Sequence, residues 1–245
     1  MPQPLPGEQQ PLRRDVMSFA RRDGRLSHRY QQAWDEHHSR FVVEPARLTR
    51  STSVDPTWRF EAEAVFGRRA PLVVEIGSGT GDAIIAAALA QPERDHLAVE
   101  VYRPGIARTI VLAQRHHVNN LRVIQADARA LVDDGLEPHS VSELRVFFPD
   151  PWPKARHHKR RLIDGSFAAA AARVLEPGGA LRLATDWQDY ADVMREVCDA
   201  EPLLSACHDG WAPRFEQRPL TRFERKGLEA GRAIRDLEYQ RRVSA

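Results

Sequence analysis

Five short runs of β-branched and aliphatic residues constrain this chain more than any other feature. They are LVVEI (72–76), HLAVE (96–100), LRVIQA (121–126), LRVFF (144–148) and ALRLAT (180–185). Helices are expected after them, over 82–90, 104–117, a short stretch from Ala128, 161–175 and 186–200, with a short amphipathic helix over 58–66 leading in. Strands alternating with helices of about 10–15 residues mean βαβ units and a parallel sheet covered on both faces. Such sheets bind ligands outside the carboxyl ends of their strands. The polar residues that close the strands are therefore the candidates: Glu75 and the glycines after it, Glu100, Asp127, Asp150 and Asp186. With 34 acidic residues among 245, chance would seldom put an acid at all five ends.

The first strand runs into Glu75-Ile76-Gly77-Ser78-Gly79-Thr80-Gly81. Glycines there let backbone approach a ligand closely at a helix N-terminus. Their spacing departs from the dinucleotide pattern G-x-G-x-x-G, and Glu75 stands two residues before the first of them. A carboxylate at that point sits poorly beside a pyrophosphate and well beside an ammonium or a sulfonium. Glu100 suits ribose hydroxyls. Asp127 suits an adenine amino group, a helix N-cap, or both. An adenosine-like, cationic cofactor without phosphate fits all three, and S-adenosylmethionine is such a cofactor. A nicotinamide dinucleotide would also use a strand, a glycine turn and an acid after the second strand, but it leaves the 148–162 loop without a role.

The net charge of +2 hides a segregation. Residues 11–50 carry +4, residues 154–161 (KARHHKRR) carry +5 and residues 214–245 carry +4, which leaves −11 on the rest. Positive charge gathered at both ends and in one loop suggests a polyanionic partner. Only Lys154, Lys159 and Lys226 among the 36 basic residues are lysines, and all three fall in the 148–162 loop or the TRFERKG segment. At 42% hydrophobic residues the chain can bury a core, which excludes a wholly disordered protein. The longest apolar run, 83–90, has eight residues against the roughly 18 of a membrane helix. Four prolines and no apolar stretch in the first 15 residues argue against a signal peptide, so a cytoplasmic location is expected. Cys198 and Cys207 build neither a disulfide framework nor a zinc site. The histidine pairs 37/38, 116/117 and 157/158 lack helical partners for a metal, and no metal is expected. Trp34, Trp58 and Trp211 are expected to pack rather than stack on bases.

The glycine turn with Glu75 and Glu100 resembles the Rossmann-like S-adenosylmethionine-dependent methyltransferases. The loop FPDPWPKARHHKRRL (148–162), with TDW (185–187), TRFERKG (221–227) and SFARRDGRLSHRYQ (18–31), is similar to the bacterial tRNA (guanine-N7-)-methyltransferases over about residues 13–242. Ala155 departs from the pattern, where a second basic residue is expected, and so does the proline-rich leader. PDPW also resembles the proline-rich loop of DNA amino-methyltransferases. The closer resemblance implies a mostly parallel seven-stranded sheet with helices on both faces. It implies methyl transfer from S-adenosylmethionine to guanine N7 of tRNA, at position 46 of the variable loop. It implies Asp150 as the catalytic carboxylate, with Glu75, Gly77, Gly79, Glu100, Asp127 and Asp150 toward the cofactor. Lys154, Asp186, Thr221, Arg222, Phe223 and Glu224 fall on its substrate positions. Arg156, His157, His158, Lys159, Arg160 and Arg161 fall on its RNA-contacting segment. The expected organisation is a disordered leader (1–12), a basic arm (13–57) and a methyltransferase domain (58–245) that includes a substrate segment (211–245). No obligate protein partner is evident, and the enzyme is expected as a monomer or homodimer.

Overall fold

The five runs become neighbouring parallel strands whose carboxyl ends share one edge. A computed structural model describes residues 25–47 and 52–243. The leader and residues 13–24 of the arm lie outside the described residues. In chain order the elements are α1 (His28–Phe41), β1 (Val42–Val43), α2 (Ala62–Phe66), β2 (Leu72–Ile76), α3 (Asp82–Ala90), β3 (Asp95–Glu100), α4 (Arg103–Arg115) and β4 (Leu121–Gln125). Then come α5 (Ala128–Ala130) with a π-helical turn (Leu131–Gly135), β5 (Val141–Phe147), a 3₁₀ helix (Ala155–Arg160), α6 (Gly165–Val174), β6 (Leu175–Thr185), α7 (Gln188–Asp199), β7 (Leu204–Ala206), α8 (Arg222–Glu229) and β8 (Arg235–Arg241). The sheet order is β1-β4-β3-β2-β5-β6-β8-β7. Every pair is parallel except β6–β8 and β8–β7.

The sheet has eight strands where seven were expected. The arm's second half supplies β1, which pairs Val42 with Val123 and Val43 with Ile124. A two-residue strand leaves no periodic signal. Helix α1 lies against α4 and β4, and it buries Phe41 completely.

From β2 the chain builds outward through β3 and β4, then returns to the other side of β2 at β5. That reversal makes the β2–β5 boundary the switch point where a parallel sheet opens a crevice. All five residues of β2 are buried, as expected of a strand flanked on both sides and covered on both faces. One face packs Val74, Ile76, Leu97, Leu144 and Leu183 against Phe167, Tyr190 and Met194 of α6 and α7. The other packs Ala98, Leu121 and Val123 against Phe41, Ile84, Ile106 and Ile110 of α1, α3 and α4.

Over β5, β6 and β8 that second face has a different cover, the irregular stretch around Phe215 and Arg218. Beneath it Glu75, Arg145, Arg182 and Glu238 stand in register across four strands. Glu143 accepts from Arg94, Arg145 and Arg182, and Phe215 lies under the guanidinium groups of Arg145 and Arg182.

Several boundaries differ from the sequence expectation for local reasons. Helix α6 starts at Gly165, not 161, because Asp164 accepts from the Phe167 amide at 2.8 Å and caps it. Strand β6 begins at Leu175, five residues early, since Leu175 pairs with Val141 and the following Glu-Pro-Gly-Gly is an irregularity in the register. The 58–66 helix shortens to Ala62–Phe66.

Candidate active site

The turn after β2 needs its glycines. Gly77, Gly79 and Gly81 have φ of 70°, 57° and 83°, the left-handed region that side chains rarely enter. The amides of Gly77 and Ser78 both donate to the Val99 carbonyl, so the turn bends over the end of β3. Gly105, in the first turn of α4, lets the turn settle there: a Cβ on it would stand 2.2 Å from the Gly79 carbonyl oxygen. Sequence spacing gave no hint of Gly105.

Glu100 ties the turn to the second strand. Its Oε2 accepts from the Gly79 amide at 2.7 Å, and its Oε1 from Val101 and Tyr102 at 2.7 and 2.9 Å. Three donors on four lone-pair positions leave room for one more on Oε2. Burial pushes the Glu100 carboxyl above its ordinary value, the three amides pull it back, and Asp150 adds to the rise. Asp150 therefore lies within electrostatic reach of Glu100 across the switch point.

Glu75 is 2% exposed, and its Oε2 has no donor among the described residues. Burial pushes the carboxyl up to about 7, against the attraction of Arg145 and Arg218 and with a further rise from Glu143. A buried carboxylate without a donor is costly, so this group is suited to a cationic ligand. Asp127 caps α5, accepting from the amides of Arg129 and Ala130 at 2.8 and 3.3 Å. The helix-cap role is thus visible directly. Its position two residues past β4 also keeps it on the common edge.

After β5 the chain enters the Pro-rich loop through Phe148 and leaves it through Trp152, with φ of 54° and 45°. Bulky residues in left-handed backbone cost energy and persist where the surroundings impose them, commonly at functional sites. Asp150 projects between the two. It is solvent-exposed, has no hydrogen-bond donor among the described residues, and is raised above its ordinary value by partial burial.

Lys154 is exposed and starts the 3₁₀ helix, its carbonyl accepting from the His157 amide. Arg156, Lys159 and Arg160 are exposed, and Arg160 lies 5.1 Å over the Trp152 ring. His157 packs edge-on against Trp152. Packing first, and then Arg160, Arg156, Lys154 and Lys159 around it, hold its imidazole below the ordinary value. His158 is half-buried, 3.8 Å from Asp189. Arg161 turns inward instead: it donates to the Pro151 carbonyl at 2.9 Å and to Asp189 at 2.5 Å, and it covers the Tyr190 ring. Of the expected RNA-contacting set, Arg161 alone is buried.

Asp186 follows β6. Its Oδ2 pairs with Arg232 at 2.7–2.8 Å, while its Oδ1 has no donor among the described residues. Helix α8 packs close by, and a Cβ on Gly227 would stand 2.8 Å from the Asp186 Cβ. Thr221 caps α8, accepting from the Glu224 amide at 3.1 Å, so Thr-x-x-Glu here is first a helix start. Arg222 and Phe223 face solvent, Phe223 at 60% exposure.

Glu224 is 1% exposed. Arg214 and Arg218 together give its two oxygens four donors, at 2.6, 3.0, 3.2 and 3.3 Å. Its acceptor capacity is filled in this conformation, whereas Asp186 Oδ1 stays open among the described residues. The arginines that fix these carboxylates, Arg214, Arg218 and Arg232, were not singled out in the sequence. Each pairs with a residue 6–46 positions away, so no local pattern marks them.

Among the described residues no group of three or more His, Cys, Asp or Glu side chains is arranged to hold a metal. Among the described residues no helix is long and apolar enough to cross a membrane.

Comparison with known proteins sets this geometry in context. Residues 69–237 match a family described as "Putative methyltransferase". The chain is 43% identical over 275 residues to a tRNA (guanine-N(7)-)-methyltransferase of Paenarthrobacter aurescens, covering 92% of this chain and 91% of that protein. It is 48% identical over 233 residues to one of Cutibacterium acnes, covering 94% and 84%. Among solved structures, the 16S rRNA methyltransferase KamB superposes with a TM-score of 0.55 at 20% identity, over 74% of this chain and 92% of that one. A 16S rRNA (adenine(1408)-N(1))-methyltransferase from Catenulisporales acidiphilia, solved with its cosubstrate, superposes with a TM-score of 0.52 at 15% identity, over 78% and 93%. These two likenesses show the fold.

Proposed function

The chain belongs to the bacterial tRNA (guanine-N(7)-)-methyltransferases, and from that premise we propose how its residues divide the reaction. The protein transfers a methyl group from S-adenosylmethionine to N7 of a guanine in tRNA. When bound, S-adenosylmethionine supplies an electrophilic methyl on a sulfonium. Glu75, with its unpartnered buried oxygen, would accept from the cofactor's ammonium. Glu100 would take a ribose hydroxyl at its remaining acceptor position, and Gly77 and Gly79 would bring backbone close. Asp127 would combine its cap with a contact to the adenine amino group.

Guanine N7 has a free lone pair at neutral pH, so no strong base has to remove a proton. The work left is alignment and charge stabilisation. Asp150 performs both: its carboxylate has no donor to release among the described residues, and it lies within electrostatic reach of Glu100 at the switch point. That placement is the observation that carries this reading. Ionised Asp150 offsets the positive charge arriving on the purine. Asp186 Oδ1 accepts from guanine N1–H or the 2-amino group, which adenine does not offer. Thr221, Arg222 and Phe223 present the start of α8 to the same base, and Glu224 fixes that start. Lys154, Arg156, Lys159 and Arg160, with His157 and His158 among them, receive tRNA phosphates.

The target is position 46 in the variable loop, as the resemblance implies. The enzyme works in the cytoplasm as a monomer or homodimer without an obligate protein partner. Borohydride and aniline treatment of tRNA methylated by the protein should cleave the chain at position 46. Cleavage at another guanine would move the target out of the variable loop.

A further inference from the structure

Arg218 is completely buried, and its contacts join several of the segments that form the site. Its guanidinium donates to both oxygens of Asp236 at 2.6 and 3.0 Å, and to both oxygens of Glu224 at 3.3 and 3.2 Å. It also lies 5.0 Å over the Phe147 ring and 5.3 Å over the Phe148 ring. Phe147 ends β5, and left-handed Phe148 opens the loop that carries Asp150. Glu224 lies in the first turn of α8 beside Thr221, Arg222 and Phe223. Asp236 pairs in register with Ala184, two residues before Asp186.

We propose that Arg218 is a positioning residue for methyl transfer: one planar fork sets the Asp150 loop, the start of α8 and the strand beside Asp186 relative to one another. This deepens the reading above and rests on it.

The chemistry favours a guanidinium over any other group. Two carboxylates and two aromatic faces meet at one buried point, and a planar cation with five donors can serve both. An ammonium keeps the charge but loses the fork and the stacking. A buried ion pair is weak evidence for stability, since apolar packing does as well or better. A geometric role explains why the charge sits there. Arg218 also attracts Glu75, so a neutral substitute would disturb the cofactor site through charge alone.

Arg218→Lys is therefore the discriminating variant, tested by single-turnover methyl transfer at saturating S-adenosylmethionine and unmodified tRNA. The expected result is a rate lower by about 10²-fold, the loss that a misplacement of about 1 Å can produce. Cofactor and tRNA dissociation constants should stay within about threefold of the parent. A rate within about threefold of the parent overturns the proposal. So does a rate loss matched by an equal loss of tRNA or cofactor affinity, which would make Arg218 a binding or merely structural element. If Arg218→Lys fails to fold, Glu224→Gln decides: it cuts the α8 arm of the fork, and an unchanged rate again overturns the proposal. A parent protein that leaves guanine N7 unmethylated refutes the assigned reaction instead, so the two failures are distinguishable.

Discussion

Between β2 and β3 the site is made of backbone. Gly77 and Gly79 in left-handed conformation, amides donating to Glu100, and Gly105 beneath the turn shape the proposed cofactor side with few side chains. Between β5 and β8 it is made of side chains. Arg214 and Arg218 hold Glu224, Arg218 holds Asp236, and Arg232 holds Asp186. In the proposed assignment the first half places a small cofactor by the path of one turn, whose left-handed glycines tolerate little substitution. The second must fit a large, charged partner, and it sets carboxylates by long-range ion pairs. Asp150 stands where the two halves meet.

The largest expected effect comes from removing that junction. Asp150→Asn should lower turnover about 10²–10³-fold. Because the carboxylate has no donor among the described residues, the variant's melting temperature should match the parent's. Near-normal turnover would remove Asp150 from the chemistry.

A smaller effect separates the cofactor half by pH. The Glu75 carboxyl is raised from its ordinary 4.5 to about 7 by burial. The folded state thus holds this proton more tightly than the unfolded one, and the stability that gives is complete below about 4.5 and lost as pH rises through about 7. Binding of an ammonium needs the ionised form. Calorimetric affinity for S-adenosylmethionine should therefore fall by up to about tenfold per unit as pH drops below about 7. Glu75→Gln should flatten the profile and weaken binding. A flat profile in the parent would separate Glu75 from the cofactor's charge.

The smallest effect tests the basic rim. Arg160→Ala should reduce the slope of log affinity for tRNA against log salt by about 1. Arg161→Ala should leave the slope alone and lower the melting temperature, since its guanidinium holds Pro151 and Asp189. Equal slope changes for the two would place both on the RNA.

The contrast between the halves also explains what the sequence revealed. Strands β2 to β5 were visible as apolar runs because both of their faces or their centres are buried. The glycine turn was visible because left-handed backbone selects glycine locally. Strand β8 (RDLEYQR) was not, because Leu237 and Tyr239 face the core while Asp236 and Glu238 pair with arginines on the opposite face. Its charged alternates resemble a surface segment. That Glu224 is saturated by donors was not legible, since Arg214 and Arg218 come from an irregular segment without a pattern. Arg161 ends a basic run, and composition cannot tell that its side chain turns inward onto Tyr190.

The most direct test is nucleoside mass spectrometry of unmodified tRNA after incubation with the protein and methyl-labelled S-adenosylmethionine. The label should appear in 7-methylguanosine. Label on an adenine or cytosine amino group, or on no nucleoside, would contradict the assignment of Asp150 and Asp186 to a guanine.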